Sequence, residues 1–316
     1  MSESKQLTKR LAEHFIRDPN SVRLHQYTAI DADAAEVLSK YRWGLSLQGL
    51  TALPDAAAEA LAKHKGGILD FSGLTTLSDS AAIALSQRAD RLDLKGLTTL
   101  SVAAAGALSR HKGDLYLNGL TSLPDSVADA LRKHDGLLGL SGLTTLSSVA
   151  AQALGDHRGG LGLFGLTTLS EIVARELSRS EGPLYLESLD ALTDAAAWGL
   201  SAHRGHLTLN GLTSLSIGAA AAFGKHRGSL GLSRVSAISD EAAAALSTHH
   251  GEVALNGLIY LSDSAAESLA KIEAGIGLTS LTTLSDAAAQ SLSRLKGRLC
   301  VVYARLPKSV ADILRD

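Results

Sequence analysis

The chain has 316 residues, 45% of them apolar and 4% aromatic, with a formal net charge of -2. That content is enough for one large domain or two ordinary ones, and the balanced charge argues against a dedicated nucleic-acid binder, which carries a basic excess. No apolar run approaches the roughly 18 residues of a membrane span, the opening MSESKQLTKRLAEH has no apolar signal core, and a single cysteine, Cys300, excludes a disulfide framework or a cysteine-based zinc site. A cytoplasmic protein is the expectation from these absences.

In chain order, residues 3–17 read as an amphipathic helix. Leu7, Leu11 and Phe15 recur at helical spacing, with Lys9, Arg10 and Glu13 elsewhere. Such a helix is expected to cover the open end of a repeat core. Residues 1–21 are therefore assigned to an N-terminal cap and residues 22–316 to one repeat array, the two forming a single domain.

The array is visible as self-similarity, the feature to seek first. GLTTLSDSAAIAL from Gly73, GLTTLSVAAAGAL from Gly96 and GLTSLPDSVADAL from Gly119 follow one another at 23-residue steps. Each unit opens on Leu-x-Leu or a close variant, beginning at Val22, Leu45, Leu69, Leu92, Leu115, Leu138, Leu161, Leu184, Leu207, Leu230, Val253, Ile276 and Leu299. One extra residue falls near Gly66-Gly67.

Within a unit, Leu-x-Leu has the period of a half-buried strand too short to stand without a parallel neighbour. Gly-Leu-Thr-x-Leu follows. Its glycine (Gly96, Gly119, Gly142) suits a special backbone angle or a close approach, and its threonines (Thr98, Thr121, Thr144, Thr167) form a row able to hydrogen-bond along the array. Ser78-Asp79 and Ser262-Asp263 offer N-caps; at Pro54-Asp55 and Pro124-Asp125 the aspartate is the expected cap. Ala-Ala-x-Ala-Leu is a helix face of small residues that lets neighbours approach. His-x-Gly, as in His111-Lys112-Gly113, closes the helix, with glycine expected where the chain turns left-handed. Strands stack at about 4.8 Å and helices need roughly 8–10 Å, so the stack must curve. The fold class is an α/β right-handed curved solenoid of about 13 repeats, with a parallel β-sheet on the concave face and short α-helices on the convex face.

This pattern resembles the leucine-rich-repeat (LRR) superfamily, specifically a bacterial alanine-rich variety with 23-residue units, over residues 22–314. It departs from the common consensus, because Asn118, Asn210 and Asn256 stand just before the glycine and most copies have no asparagine. The resemblance implies a protein-binding scaffold and transfers no catalytic residue.

The atypical C-terminal unit Leu299–Tyr303 precedes a last helix, Lys308 to Leu314, read as a cap. If its strand edge is left open, it can pair with another chain. His64, His111, His134, His157, His203, His226 and His249 share one repeat position and read as helix-end capping and stacking rather than a metal ladder, since no carboxylates accompany them. No nucleophile elbow or phosphate loop occurs. Neither catalytic residues nor a cofactor or metal is expected, and the protein is read as no enzyme.

The strand positions that face away from the core are free to vary. There Tyr116, Leu137, Phe164 and Tyr185 cluster in neighbouring units, bordered by Arg91, Asp93, Lys95 and Asp114 on one side and by Glu187 and His206 on the other. An apolar centre with a charged rim is the composition of a binding surface. The expected partner is a protein or peptide held on the concave face, with no nucleic acid and no membrane span, by a monomer or homodimer. Two other readings stay open: a self-assembling protein joined through the C-terminal edge or the convex face near Trp198 and Ile83, and a glycan or small-ligand binder in the concave groove.

Overall fold

A strand of two or three residues buries almost nothing by itself, so its stability has to come from its neighbours. The computed structural model, which describes residues 5–315, shows how that is achieved. The chain divides into two compact units, Met1–Leu163 and Phe164–Asp316.

The first unit opens with strand β1 (Gln6–Leu7), helix α1 (Lys9–Arg17), strand β2 (Ala29–Ile30) and helix α2 (Ala32–Leu38). The expected 3–17 helix is thus shorter than predicted, and residues 3 and 4 lie outside the described residues, as does the terminal Asp316. β1 pairs in parallel with β2, and the ring of Phe15 meets Tyr41 edge-on at 5.0 Å. No strand forms at Val22; a 3-10 turn, Leu24–Gln26, stands there. Strands β3 (Leu45–Ser46), β4 (Leu69–Asp70), β5 (Leu92–Asp93), β6 (Leu115–Tyr116), β7 (Leu138–Gly139) and β8 (Leu161–Gly162) alternate with helices α3 (Asp55–Ala62), α4 (Asp79–Ser86), α5 (Val102–Leu108), α6 (Asp125–Leu131) and α7 (Ser148–Leu154).

The second unit continues with α8 (Glu171–Leu177), β9 (Leu184–Tyr185), α9 (Asp194–Leu200), β10 (Leu207–Thr208), α10 (Ile217–Gly224), β11 (Leu230–Gly231) and α11 (Asp240–Leu246). It ends with β12 (Val253–Ala254), α12 (Asp263–Leu269), β13 (Gly275–Gly277), α13 (Asp286–Ser293), β14 (Arg298–Cys300) and α14 (Lys308–Ile313). In α14, Val310 and Ala311 turn inward, while β14 pairs only with β13 among the described residues.

Each unit is an α/β solenoid of parallel strands in strict register. Leu92 aligns with Leu115, and Leu207 with Leu230. The leucines of the strands from β3 to β11 are buried, whereas Leu299 of β14 is only half-buried; the alanines of the helix faces, such as Ala104 and Ala105, are buried too. Backbone hydrogen bonds link neighbouring strands within a unit, as from the N–H groups of Leu92 and Leu94 to the carbonyls of Asp114 and Tyr116, both at 2.9 Å.

The expected helix starts are met where serine is present. The Ser101 hydroxyl accepts from Ala104 N–H at 2.9 Å and Ser216 from Ala219 N–H at 3.0 Å. The same hydroxyls donate to the first-turn aspartate of the preceding repeat, Ser101 to Asp79 and Ser216 to Asp194. A single atom thereby caps its own helix and ties it to its neighbour. At the proline copies the prediction fails. Pro54 and Pro124 occupy the cap position and make no side-chain bond there. Asp55 and Asp125 instead sit one residue inside, at the positive end of the helix dipole.

The glycines correct a second expectation. Gly113 of His-x-Gly is not left-handed; among the described residues only Gly67 and Gly275 have positive φ. A Cβ on Gly113 would lie 2.5 Å from the carbonyl carbon of Asp90 in the preceding repeat. The same holds at Gly119, whose Cβ would lie 2.6 Å from the Leu97 carbonyl oxygen. Glycine is required because backbone stacks on backbone. Along the threonine row, Thr98 N–H donates to the Thr75 carbonyl at 3.4 Å, and the Thr51 and Thr282 hydroxyls donate to the carbonyls of Thr28 and Ile259.

The histidines are interior groups. His111, His134 and His157 stack at 6.1 and 5.9 Å in the first unit, and His203, His226 and His249 at 6.1 and 5.5 Å in the second. Three rings reach back to carbonyls of the preceding repeat: His157 Nε2 lies 3.1 Å from Gly136 O, His203 Nδ1 3.4 Å from Ser178 O and His249 Nδ1 2.8 Å from Phe223 O, whereas His64, His111, His134 and His226 bury both ring nitrogens without a protein partner among the described residues. Those three join a helix end to the repeat before it. Burial, reinforced by the neighbouring imidazole, holds His157 and His226 down to about 4. Arg88 occupies this position in the repeat after the extra residue. Its side chain is 1% exposed, and its guanidinium donates to the carbonyls of His64 and Gly67. The longer side chain spans the longer loop, in which Gly67 takes a φ of 89°.

Candidate functional site

With leucines and alanines inside, the outward residues of each strand are unconstrained by the core. They lie on one face because side chains alternate along a strand.

In the first unit this face carries an ionic cluster. Asp93, only 6% exposed, aligns with Tyr116 on the next strand. Arg91 and Lys95 flank it two residues either way, on the same side. Arg91 Nη2 reaches the two carboxylate oxygens at 3.0 and 3.2 Å, its Nε adds a contact at 3.3 Å, and Lys95 Nζ lies 3.5 Å away. Both cations lie over the Tyr116 ring, 4.1 Å (Arg91 Cζ) and 5.2 Å (Lys95 Nζ) from its centre. Burial works against the Arg91 charge, but the bond to Asp93 and its charge outweigh it and raise the guanidinium above its usual range. Neighbouring carboxylates are used structurally: Asp70 accepts from Ser72 N–H and from the Ser46 hydroxyl, and Asp114 accepts from Leu137 N–H at 3.1 Å. Leu137 is half-buried at the start of β7.

In the second unit the face carries an aromatic row. Phe164 stacks on Tyr185 at 5.7 Å and 16° between planes, and His206 meets Tyr185 edge-on at 6.3 Å. These separations are those of favourable ring pairs. Phe164 and Tyr185 are half-buried and His206 and Glu187 exposed. Beyond Tyr185 the outward residues shrink to Thr208, Gly231, Ala254 and Gly277. Beside them Asn210 and Asn256 accept from the N–H groups of Ser233 and Thr279 in the next repeat, at 2.9 and 3.4 Å. The asparagines before the glycine thus tie repeats together.

Of the ten predicted site residues, Arg91, Asp93, Lys95, Asp114, Tyr116 and Leu137 belong to the first unit and Phe164, Tyr185, Glu187 and His206 to the second. Tyr116, expected in the apolar centre, is grouped with the cations. Sequence reasoning missed the exposed Trp43, at 72%, and the exposed pair Ile259 and Tyr260, which replace the usual Thr-Thr; that substitution was the available signal. Trp198 is exposed, with Lys225 Nζ 4.9 Å from its ring. Among the described residues, no three His, Cys, Asp or Glu side chains are grouped to hold a metal, and no helix is long and apolar enough to cross a membrane.

No family model matches the chain, and no curated protein matches it. Solved structures do. A chain of the Toll–Spatzle complex from Drosophila matches with a TM-score of 0.50 at 14% identity, over 74% of this chain and 36% of that one. An LRR protein of Leptospira interrogans matches with a TM-score of 0.48 at 17% identity, over 90% of both chains. An internalin of Listeria monocytogenes matches with a TM-score of 0.47 at 14% identity, over 93% of this chain and 89% of that one. Parallel strands in register, each followed by a turn and a helix and repeated every 23 residues, define the class. The chain shares this solenoid fold with the matched chain of the Toll–Spatzle complex.

Proposed function

We propose that the protein is a non-catalytic scaffold that captures a protein or peptide on its strand face. The observation that carries this reading is the Phe164–Tyr185–His206 row. Three rings stand on a face where the repeat asks for no aromatic group, and large rigid side chains give contact area at little entropic cost. In the first unit the Arg91–Asp93–Lys95 cluster over Tyr116 gives the strand face a charged and aromatic element of its own. A protein of the same fold was solved in the Toll–Spatzle complex, which fits a binding role. Because the backbone is fixed by stacking, little further ordering is required on association.

The test is affinity capture from native lysate with the full chain and with Tyr116→Ala/Tyr185→Ala, both checked for folding by circular dichroism. Proteins retained by the wild type are expected to be lost from the double variant by about tenfold or more, the scale of hot-spot truncation. Equal recovery overturns the assignment.

A further inference from the structure

In the second unit the strand face ends in a recess of about 210 Å³ over β12, β13 and β14. Its floor is Ala254 and Gly277, which are paired in register. One bank carries Asn256 and Thr279, and the other carries Glu252 and Arg298. Gly275 aligns with Arg298 and has no side chain, so no side chain stands on the strand between Glu252 and Arg298, which line the recess together. Both charged groups are exposed, and neither makes an ion pair among the described residues. The neighbouring cation Arg305 is already engaged, donating to the Thr279 carbonyl at 3.1 Å. Asn256 uses its Oδ1 on Thr279 N–H and turns one amide hydrogen towards the Ser233 hydroxyl at 3.5 Å, leaving the other.

This volume is below the roughly 300–1,000 Å³ of sites for drug-sized ligands. The recess therefore suits a few heavy atoms. Its two charges are opposite in sign and unpaired, so the complementary ligand carries both signs within a short distance. A planar guanidinium matches a carboxylate, and a carboxylate accepts an ammonium. Only a narrow carbon skeleton fits above the Gly277 floor.

We propose that this recess binds a small zwitterion of the α-amino-acid class, with its carboxylate on Arg298, its ammonium on Glu252 and its α-carbon over Gly277. The site uses neither the aromatic row nor the Tyr116 cluster and stands apart from the binding role proposed above.

The experiment is an NMR chemical-shift titration of the nitrogen-labelled full chain with free L-alanine and L-serine. N-acetyl-L-alanine and L-alanine amide, each lacking one charge, serve as comparison probes. The free amino acids are expected to shift amides of residues 252–300 saturably at millimolar concentration, and each blocked probe to bind about tenfold more weakly or worse. Arg298→Gln and Glu252→Gln should each weaken binding to the same degree, Ala254→Leu should fill the recess and abolish it, and Tyr185→Ala should leave it unchanged. The absence of a saturable shift with either free amino acid overturns the proposal, as does equal binding by Arg298→Gln or by the blocked probes.

Discussion

Two rows of side chains recur with the same 23-residue period and have opposite fates. The helix-end row holds histidine after histidine, buried and mostly stacked on one another, with three of them bonded back to the previous repeat. The strand-face row changes at nearly every step, from Asp93 to Tyr116 to Gly139 in the first unit and from Tyr185 to Thr208 to Gly231 in the second. A position whose surroundings repeat must hold the same chemistry each time; a position that faces outward need not. Constancy marks what stabilises the stack, and variation marks what is available for recognition.

Acid separates the rows most strongly. The buried histidines have depressed values, so the native state stays neutral where the unfolded chain, titrating near 6.5, already binds protons. The unfolded state then carries more protons, and stability falls as the pH drops from about 6.5 towards 4. His157 and His226 should each contribute on the order of 3 kcal/mol to that loss. Urea unfolding followed between neutral pH and about pH 4 checks it, and a flat profile would show that the row is not buried in solution.

Arg88 sharpens the comparison within the helix-end row, because it stands where histidine is the rule. Arg88→Ala leaves the carbonyls of His64 and Gly67 without their donor and should lower stability by about 2–4 kcal/mol. Combining Arg88→His with deletion of Gly67 converts that repeat to the common length and should recover most of the loss in the same assay. A smaller effect is expected at the caps. Ser101→Ala removes both the bond from Ala104 and the link to Asp79, for about 1 kcal/mol.

The period was legible because each repeat meets copies of itself, so the leucines of strand and turn and the alanines of the helix face had to recur. What failed was whatever depends on reach through space. Pro54 and Pro124 took the cap position, where the backbone φ of -60° and -58° matches proline's fixed value. Gly113 is needed for stacking rather than for a left-handed turn, a distinction spacing does not carry. Val22 has the right phase for a strand but forms none, β1 and β2 having paired with each other instead. The exchange of histidine for Arg88 after one inserted residue is written in the sequence, yet its meaning requires the distance to Gly67. At the candidate site the ten residues were named from position alone. That Arg91 and Lys95 fold over Tyr116, rather than forming a rim around it, follows from the length of their side chains and the burial of Asp93, neither of which a register count contains.

The separation of the two rows is tested most directly by equilibrium urea unfolding of Tyr116→Ala/Tyr185→Ala beside His134→Ala. The strand-face double variant should unfold within about 1 kcal/mol of the wild type, the sum expected of two surface substitutions, while the fully buried His134 should cost about 2–4 kcal/mol. A strand-face loss as large as that of His134 would contradict the account, because the rings would then be part of what holds the repeats together.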